Sequence, residues 1–318
     1  MNAPQVEPRR PAGERPGWVS SELFPYESRF IEVDGCRVHY VDEGQGPVLL
    51  LLHGNPTWSY LYRHVIGRLR HRFRCVALDL PGFGLSDAAP GYGFTPVEHA
   101  RVVERVVLEL PLASFTPVVH DWGGPIGLAV ASRHPERVQA VVICNTFAWP
   151  ADGDRHFEWF SKLLGGPVGR LAIRRANAFV NLMVPAGTRR HLSRAEMTHY
   201  RRPFPTPDAR LPTHVFPREI LASRDFLAEV ETGLGRLAHL PALVAWAGKD
   251  VAFRDTERRR FEATFPRHDS IVFERARHYL QEDVPEELAA EIERWWVRTV
   301  GGTPGEEDGR ERSSNKAG

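Results

Sequence analysis

Apolar positions along the chain fall first into strand-like segments and then into a strand–helix alternation. Arg29–Val33 and Arg37–Asp42 flank Asp34-Gly35, a dipeptide suited to a two-residue hairpin turn. Pro47–Leu52 is a continuous apolar run, as expected for a strand buried on both faces. About Ser59–Leu69 reads as a helix and Arg74–Leu78 as a strand. Thr95–Leu110 carries a helical stripe of Val97, Val102, Val103, Val106, Val107 and Leu110. Thr116–Val119 then reads as a strand, Ile126–Arg133 as a helix and Val138–Ile143 as a strand. A hairpin followed by strict alternation predicts a largely parallel sheet covered by helices.

After Asn145 the alternation breaks. Residues 147–225 hold several helical pieces, a Pro-rich joint at Arg202–Pro207 and no good strand. That is too long for a loop and reads as an inserted helical cap. Alternation returns with Ala242–Trp246, a helix at about Thr256–Thr264, the strand Ser270–Phe273 and a last helix Pro285–Val300. The expected class is α/β, with a mostly parallel eight-stranded sheet. The core spans 23–146 and 226–300. Residues 1–22 and 301–318 are polar and rich in Gly and Pro, so both are expected to be mobile tails.

Composition narrows the function. The chain has 318 residues, 42% hydrophobic and 25% charged, which suits a soluble protein with a sizeable core. A net charge of +1 points away from nucleic acid and from anionic membrane surfaces. Cys36, Cys75 and Cys144 lie far apart without CxxC spacing, against a disulfide framework or a zinc site. Cys75 and Cys144 sit in apolar runs, whereas Cys36 is near a polar strand. No metal or cofactor is expected. No apolar run approaches the ~20 residues of a membrane span, and no secretory signal is read. A cytoplasmic enzyme is the expectation.

Four local patterns carry chemistry. The first is Val119-His120-Asp121-Trp122-Gly123-Gly124, between a strand and a helix. A nucleophile elbow needs that context and small residues just behind it. Here the elbow residue is Asp121. A carboxylate is already ionised at neutral pH and can attack a carbon bearing a leaving group, giving an ester. As a helix cap, Asp121 would be less informative. The second pattern is Gly248-Lys249-Asp250, past a strand end, where sites assemble in open α/β sheets. The third is Arg277-His278-Tyr279, past the last strand. The chain order Asp121, Asp250, His278 suits nucleophile, acid and base. The fourth is His53-Gly54-Asn55-Pro56-Thr57. The backbone N–H groups of Asn55 and Trp122 are expected to form an oxyanion hole.

HGNPTWSYLYR, LDLPGFGLSD, VVHDWGGPIGL, YRRPFPTP, WAGKDVAFR and ARHYLQEDVPEE together resemble the haloalkane dehalogenases of the α/β-hydrolase superfamily. The resemblance spans about Phe24 to Trp296, and its pattern is like that of the third subfamily. It implies Asp121 as nucleophile, His278 as the base that activates water, and Asp250 as the acid that orients it. It implies Asn55 and Trp122 as side-chain donors to the departing halide. A small halogenated hydrocarbon and water would be the substrates, and a halide a product. A homo-oligomer is left open. Two features depart from the family or compete with it. Arg277 stands where the family usually has Gly. A second branch takes its halide donor from a cap Trp, which brings Trp149 and Trp159 into play. Of Phe147, Trp149, Phe157, Trp159 and Phe160, some are expected to line the pocket, Phe147, Trp149 and Trp159 foremost, and the rest to pack the cap.

Rival readings share the scaffold. An epoxide hydrolase would use the same triad but needs two cap tyrosines, and the cap offers only Tyr200. A fluoroacetate dehalogenase would favour Arg after the nucleophile. A luciferase-like oxygenase and a non-catalytic binding protein remain as members of other classes.

Overall fold

A computed structural model describes residues 15–301. The hairpin forms as expected. Asp34 and Gly35 both take positive φ, 49° and 76°, joining β1 (Arg29–Val33) to β2 (Cys36–Glu43). Then follow β3 (Val48–Leu52), α1 (Arg63–Leu69), β4 (Arg74–Leu78), α2 (Pro96–Glu109), β5 (Thr116–Asp121), α3 (Gly123–Arg133) and β6 (Val141–Thr146). The expected helix at Ser59–Leu69 opens as a 3-10 turn, Ser59–Tyr62, before α1.

The expected helical insertion, 147–225, holds α4 (Arg155–Leu164), α5 (Pro167–Ala176), α6 (Ala178–Ala186), α7 (Arg194–Arg201) and α8 (Leu211–Ala222), and α9 (Arg224–Leu237) follows, with no strand among them. The chain closes with β7 (Ala242–Ala247), α10 (Asp255–Thr264), β8 (His268–Phe273), α11 (Leu280–Asp283) and α12 (Pro285–Thr299). The sheet order is β1-β2-β4-β3-β5-β6-β7-β8. Only the β1–β2 and β2–β4 pairings are antiparallel. The central strands β3, β5, β6 and β7 are buried almost throughout, which explains the apolar runs of β3, β7 and Val141–Cys144 in β6.

Several boundaries differ from the sequence expectation. β6 starts three residues late and runs on to Thr146, because Val138 makes only an isolated bridge to Phe115. Asn145 and Thr146 are polar yet fully buried, so hydropathy hides their strand character. α3 begins at Gly123 rather than Ile126, since Gly-Gly-Pro masks a first helical turn. The apolar pattern does not mark α9 as a separate helix. It packs on α3, and Arg236 donates to the Ser132 carbonyl at 2.9 Å. Cys36 is buried like the other two cysteines, and all three are free.

The expected N-terminal tail, 1–22, does not hold over residues 15–22. Residues 15–22 pack against the body: Val19 is buried, Trp18 meets Trp58 edge-on at 5.9 Å, and the Ser20 N–H donates to His199 Nε2 at 3.0 Å. Residues 1–14 and 302–318 lie outside the described residues.

Candidate active site

β5 ends in a bulge between His120 and Asp121, and Asp121 has φ +52°. A non-glycine residue held there costs of order 1–3 kcal/mol, and the surroundings must over-determine it. They do so by close approach. A Cβ on Gly123 would stand 2.2 Å from the Leu52 carbonyl oxygen, and one on Gly124 only 1.8 Å from Thr146 Oγ1. The Thr146 hydroxyl donates to the Asp121 carbonyl at 2.5 Å. Gly123 and Gly124 are therefore what lets α3 start directly behind the strand end. The Asp121 side chain projects over this turn into a small cavity.

His278 stands on the segment after β8. Its Nδ1 lies 2.9 Å from Asp250 Oδ2, and its Nε2 lies 3.7 Å from Asp121 Oδ2. Asp250 follows β7 with its carboxylate fully buried. The Ala252 N–H donates to its Oδ1 at 2.7 Å, and the Asn145 amide donates to its Oδ2 at 2.8 Å. Asn145 is itself fixed, its Oδ1 accepting the Ala247 N–H at 2.8 Å. The three sequence candidates thus converge, each from a strand end.

The charges follow from this packing. Burial, the largest influence, lifts the Asp121 carboxyl above its usual range, against the opposing pull of His278 and of the Trp122 and Asn55 backbone N–H groups. For His278, burial disfavours the imidazolium. Asp250 and then Asp121 outweigh that and hold its pKa above the usual value.

Two sets of donors surround the carboxylate. The Asn55 backbone N–H donates to Asp121 Oδ1 at 2.7 Å. The Asn55 side-chain amide gives one hydrogen to the Thr213 carbonyl at 3.2 Å, which leaves its second hydrogen unused; its Oδ1 is buried without a partner. The Trp122 indole is wedged between Phe147 and Phe216, with ring centroids 5.0 Å from each. Both side chains line the same cavity as Asp121.

That cavity is small, about 40 Å³. Phe147, Phe157, Phe160, Phe179 and Phe253 form most of its wall, with Pro217, Ile220 and Ala252; His156 stands among them. Phe253 stacks on Phe147 at 5.5 Å and faces the His278 ring at 5.6 Å. A carboxylate, a histidine and a few N–H donors in an aromatic slot can displace a leaving group from carbon and then activate water.

A model of the alpha/beta hydrolase fold matches residues 47–285. The chain is 46% identical over 273 residues to haloalkane dehalogenase 2 of Mycobacterium tuberculosis, covering 85% of this chain and 95% of that protein. The chain belongs to the haloalkane dehalogenase family. Among solved structures, haloalkane dehalogenase DbeA from Bradyrhizobium elkani superposes with a TM-score of 0.78 at 29% identity, over 85% of this chain and 97% of that one. A cis-3-alkyl-4-alkyloxetan-2-one decarboxylase of Xanthomonas campestris is 33% identical over 276 residues, 81% of this chain and 91% of that protein.

As a haloalkane dehalogenase relative, the chain departs from two expectations. Trp149 and Trp159 do not reach the cavity. Trp149 packs on Phe261 at 4.9 Å beneath the Arg260 guanidinium, and Trp159 is 64% exposed. Helical spacing puts Phe157 and Phe160 on the inner face of α4 and turns Trp159 outward. Phe147, Phe157 and Phe160 do line the slot. The Arg277 backbone is not left-handed, so glycine is not required before His278 in this dehalogenase. Its N–H donates to Asp283 Oδ2 at 2.9 Å.

Sequence reasoning missed Asn145, Phe253, Phe179 and Ile220. Asn145 had a usable signal, being a polar residue at the carboxyl end of a parallel strand. The others are apolar residues in helices and loops, and nothing in their spacing separates cavity wall from packing.

Proposed function

We propose that the protein hydrolyses carbon–halogen bonds of small haloalkanes, releasing alcohol, halide and a proton. The Asp121 carboxylate attacks the carbon, the C–O ester bond forms and the carbon–halogen bond breaks. The halide departs toward the Trp122 indole N–H and the Asn55 amide. His278 then takes a proton from water, which attacks the ester carbonyl carbon. Asp250 stabilises the resulting imidazolium. The oxyanion of that step forms on the backbone N–H groups of Asn55 and Trp122; its collapse breaks the ester bond to the alkoxide, which takes the proton from His278, and the regenerated Asp121 carboxyl loses the proton that is released.

The observation that carries the reading is the meeting of Asp121, Asn55 and Trp122 at one small aromatic cavity. Among the described residues no tyrosine lines that cavity; Tyr200 is fully buried with its hydroxyl on Glu282. An epoxide hydrolase would lack its ring-protonating groups here.

The test is halide release from 1-bromobutane and 1,2-dibromoethane, set against diol formation from styrene oxide. Halide release that disappears in Asp121→Ala supports the reading. Halide release that persists in that variant, or diol formation as the main activity, overturns it.

A further inference from the structure

His120 has no part in the chemistry proposed above, yet it is the residue that joins the base to the strand of the nucleophile. It is fully buried, one residue before Asp121 on β5. Its Nε2 lies 2.9 Å from the His278 main-chain carbonyl oxygen. A carbonyl oxygen only accepts, so Nε2 carries the hydrogen. Its Nδ1 is buried without a partner, as a neutral ring with its one hydrogen on Nε2 requires. The His120 and His278 rings lie 4.6 Å apart. Burial first, and His278 second, hold the His120 pKa well below its usual value. The ring therefore donates without setting a second cation beside the base.

The His278 segment is otherwise tied elsewhere. Lys249 N–H bonds the Ala276 carbonyl, Arg277 N–H goes to Asp283, and Tyr279 N–H goes to the Gly187 carbonyl at 2.9 Å. Among the described residues, the His120 bond is the one hydrogen bond between β5 and residues 274–279. The strand that carries Asp121 thus holds the His278 main chain by one short bond, while the Asp250 carboxylate fixes the ring at Nδ1.

We propose that His120 is a positioning residue for ester hydrolysis: its Nε2–H bond to the His278 carbonyl holds the base in register with the strand end that carries Asp121. The inference rests on the functional reading above. It has a kinetic signature, because the two chemical steps use different groups. Halide displacement needs Asp121, Trp122 and Asn55. Only water attack on the ester needs His278. Displacing a reacting group by about 1 Å can cost roughly 100-fold. Loss of the link should therefore slow the second step and spare the first.

The experiment compares wild type with His120→Phe, His120→Asn and His120→Gln, using 1,2-dibromoethane. Phe has no donor, Asn is too short to reach, and Gln can replace the bond. Halide release in the first turnover and overall turnover are measured separately, with mass spectrometry of the quenched protein and a thermal melt. The expected result is a first-turnover rate within about threefold of wild type in whichever of Phe and Asn folds. Its steady-state rate falls about 10- to 100-fold, alkyl mass accumulates on Asp121, and Gln restores most of the turnover. A Phe or Asn variant that turns over like wild type overturns the proposal. So does an equal fall in both steps, or a Gln variant no better than Asn. If wild type itself releases no halide, the functional reading has failed, and this inference falls with it.

Discussion

The Asn55 backbone N–H donates to Asp121 Oδ1 at 2.7 Å, so one carboxylate oxygen already occupies an N–H pocket while the other, Oδ2, faces His278. This contact separates two roles proposed for one residue. The main-chain N–H holds the nucleophile and later the oxyanion. The side-chain amide meets the halide. Asn55→Ala keeps the first and deletes the second. Halide displacement should slow by roughly one to three decades, while hydrolysis of a preformed alkyl ester is unchanged. Rapid-quench measurement of the two steps checks this; equal slowing of both would remove the amide from the halide's path.

The pH dependence follows from His278. Its pKa in the resting enzyme lies above the usual value, because Asp250 and Asp121 outweigh burial. In the mechanism proposed above the neutral imidazole is the working base, so the hydrolytic step should fail as pH drops through the pKa that His278 has in the ester intermediate. Forming the ester removes the Asp121 charge. The acid limb of ester hydrolysis should then lie below the His278 pKa of the resting enzyme, which NMR titration reads directly. Asp250→Asn should move the limb further down and lower the plateau, since the imidazolium loses its counter-charge. A limb that rises on this substitution would contradict the assignment.

Gly54 tests the crowding at the site. A Cβ there would lie 2.0 Å from Asp121 Oδ1, whereas one on Gly235 in α9 meets nothing within 4 Å. Gly54→Ala should lower turnover by roughly 100-fold or more by pushing the carboxylate aside. Gly235→Ala should leave turnover alone and stabilise the fold by about 1 kcal/mol through helix propensity. Turnover assays and urea denaturation report both.

The segment after His278 is anchored by charge. Glu282 is buried and pairs with Arg63, Arg190 and the Tyr200 hydroxyl. Burial would raise its pKa, but Arg63 and Arg190 bring it below the usual value. A depressed carboxyl pKa contributes stability that is present above the unfolded-state value and is lost as pH falls through the folded one. Glu282→Leu should lower stability near neutral pH, because buried Arg63 keeps only the partly exposed Glu196 as a counter-charge and the Tyr200 hydroxyl loses its acceptor. It should also flatten the acid arm of the stability curve. Urea titrations from pH 3 to 7 test both, and an unchanged curve would show that the pair is energetically silent.

The order of elements, the helical insertion after Asn145 and the residues Asp121, Asp250 and His278 were legible in the chain because they rest on local signals. Apolar period, turn dipeptides and motifs at strand ends depend on neighbours within a few residues. What only the tertiary structure decided is which side chains from distant segments share a surface. It sent Trp149 and Trp159 away from the slot and brought in Phe253 and Phe179. It placed Asn145 on the Asp250 carboxylate and His120 under the His278 carbonyl, 158 residues away in sequence. It also packed residues 15–22 onto the body. Hydropathy records that a residue prefers to be buried; three-dimensional packing alone sets what it is buried against.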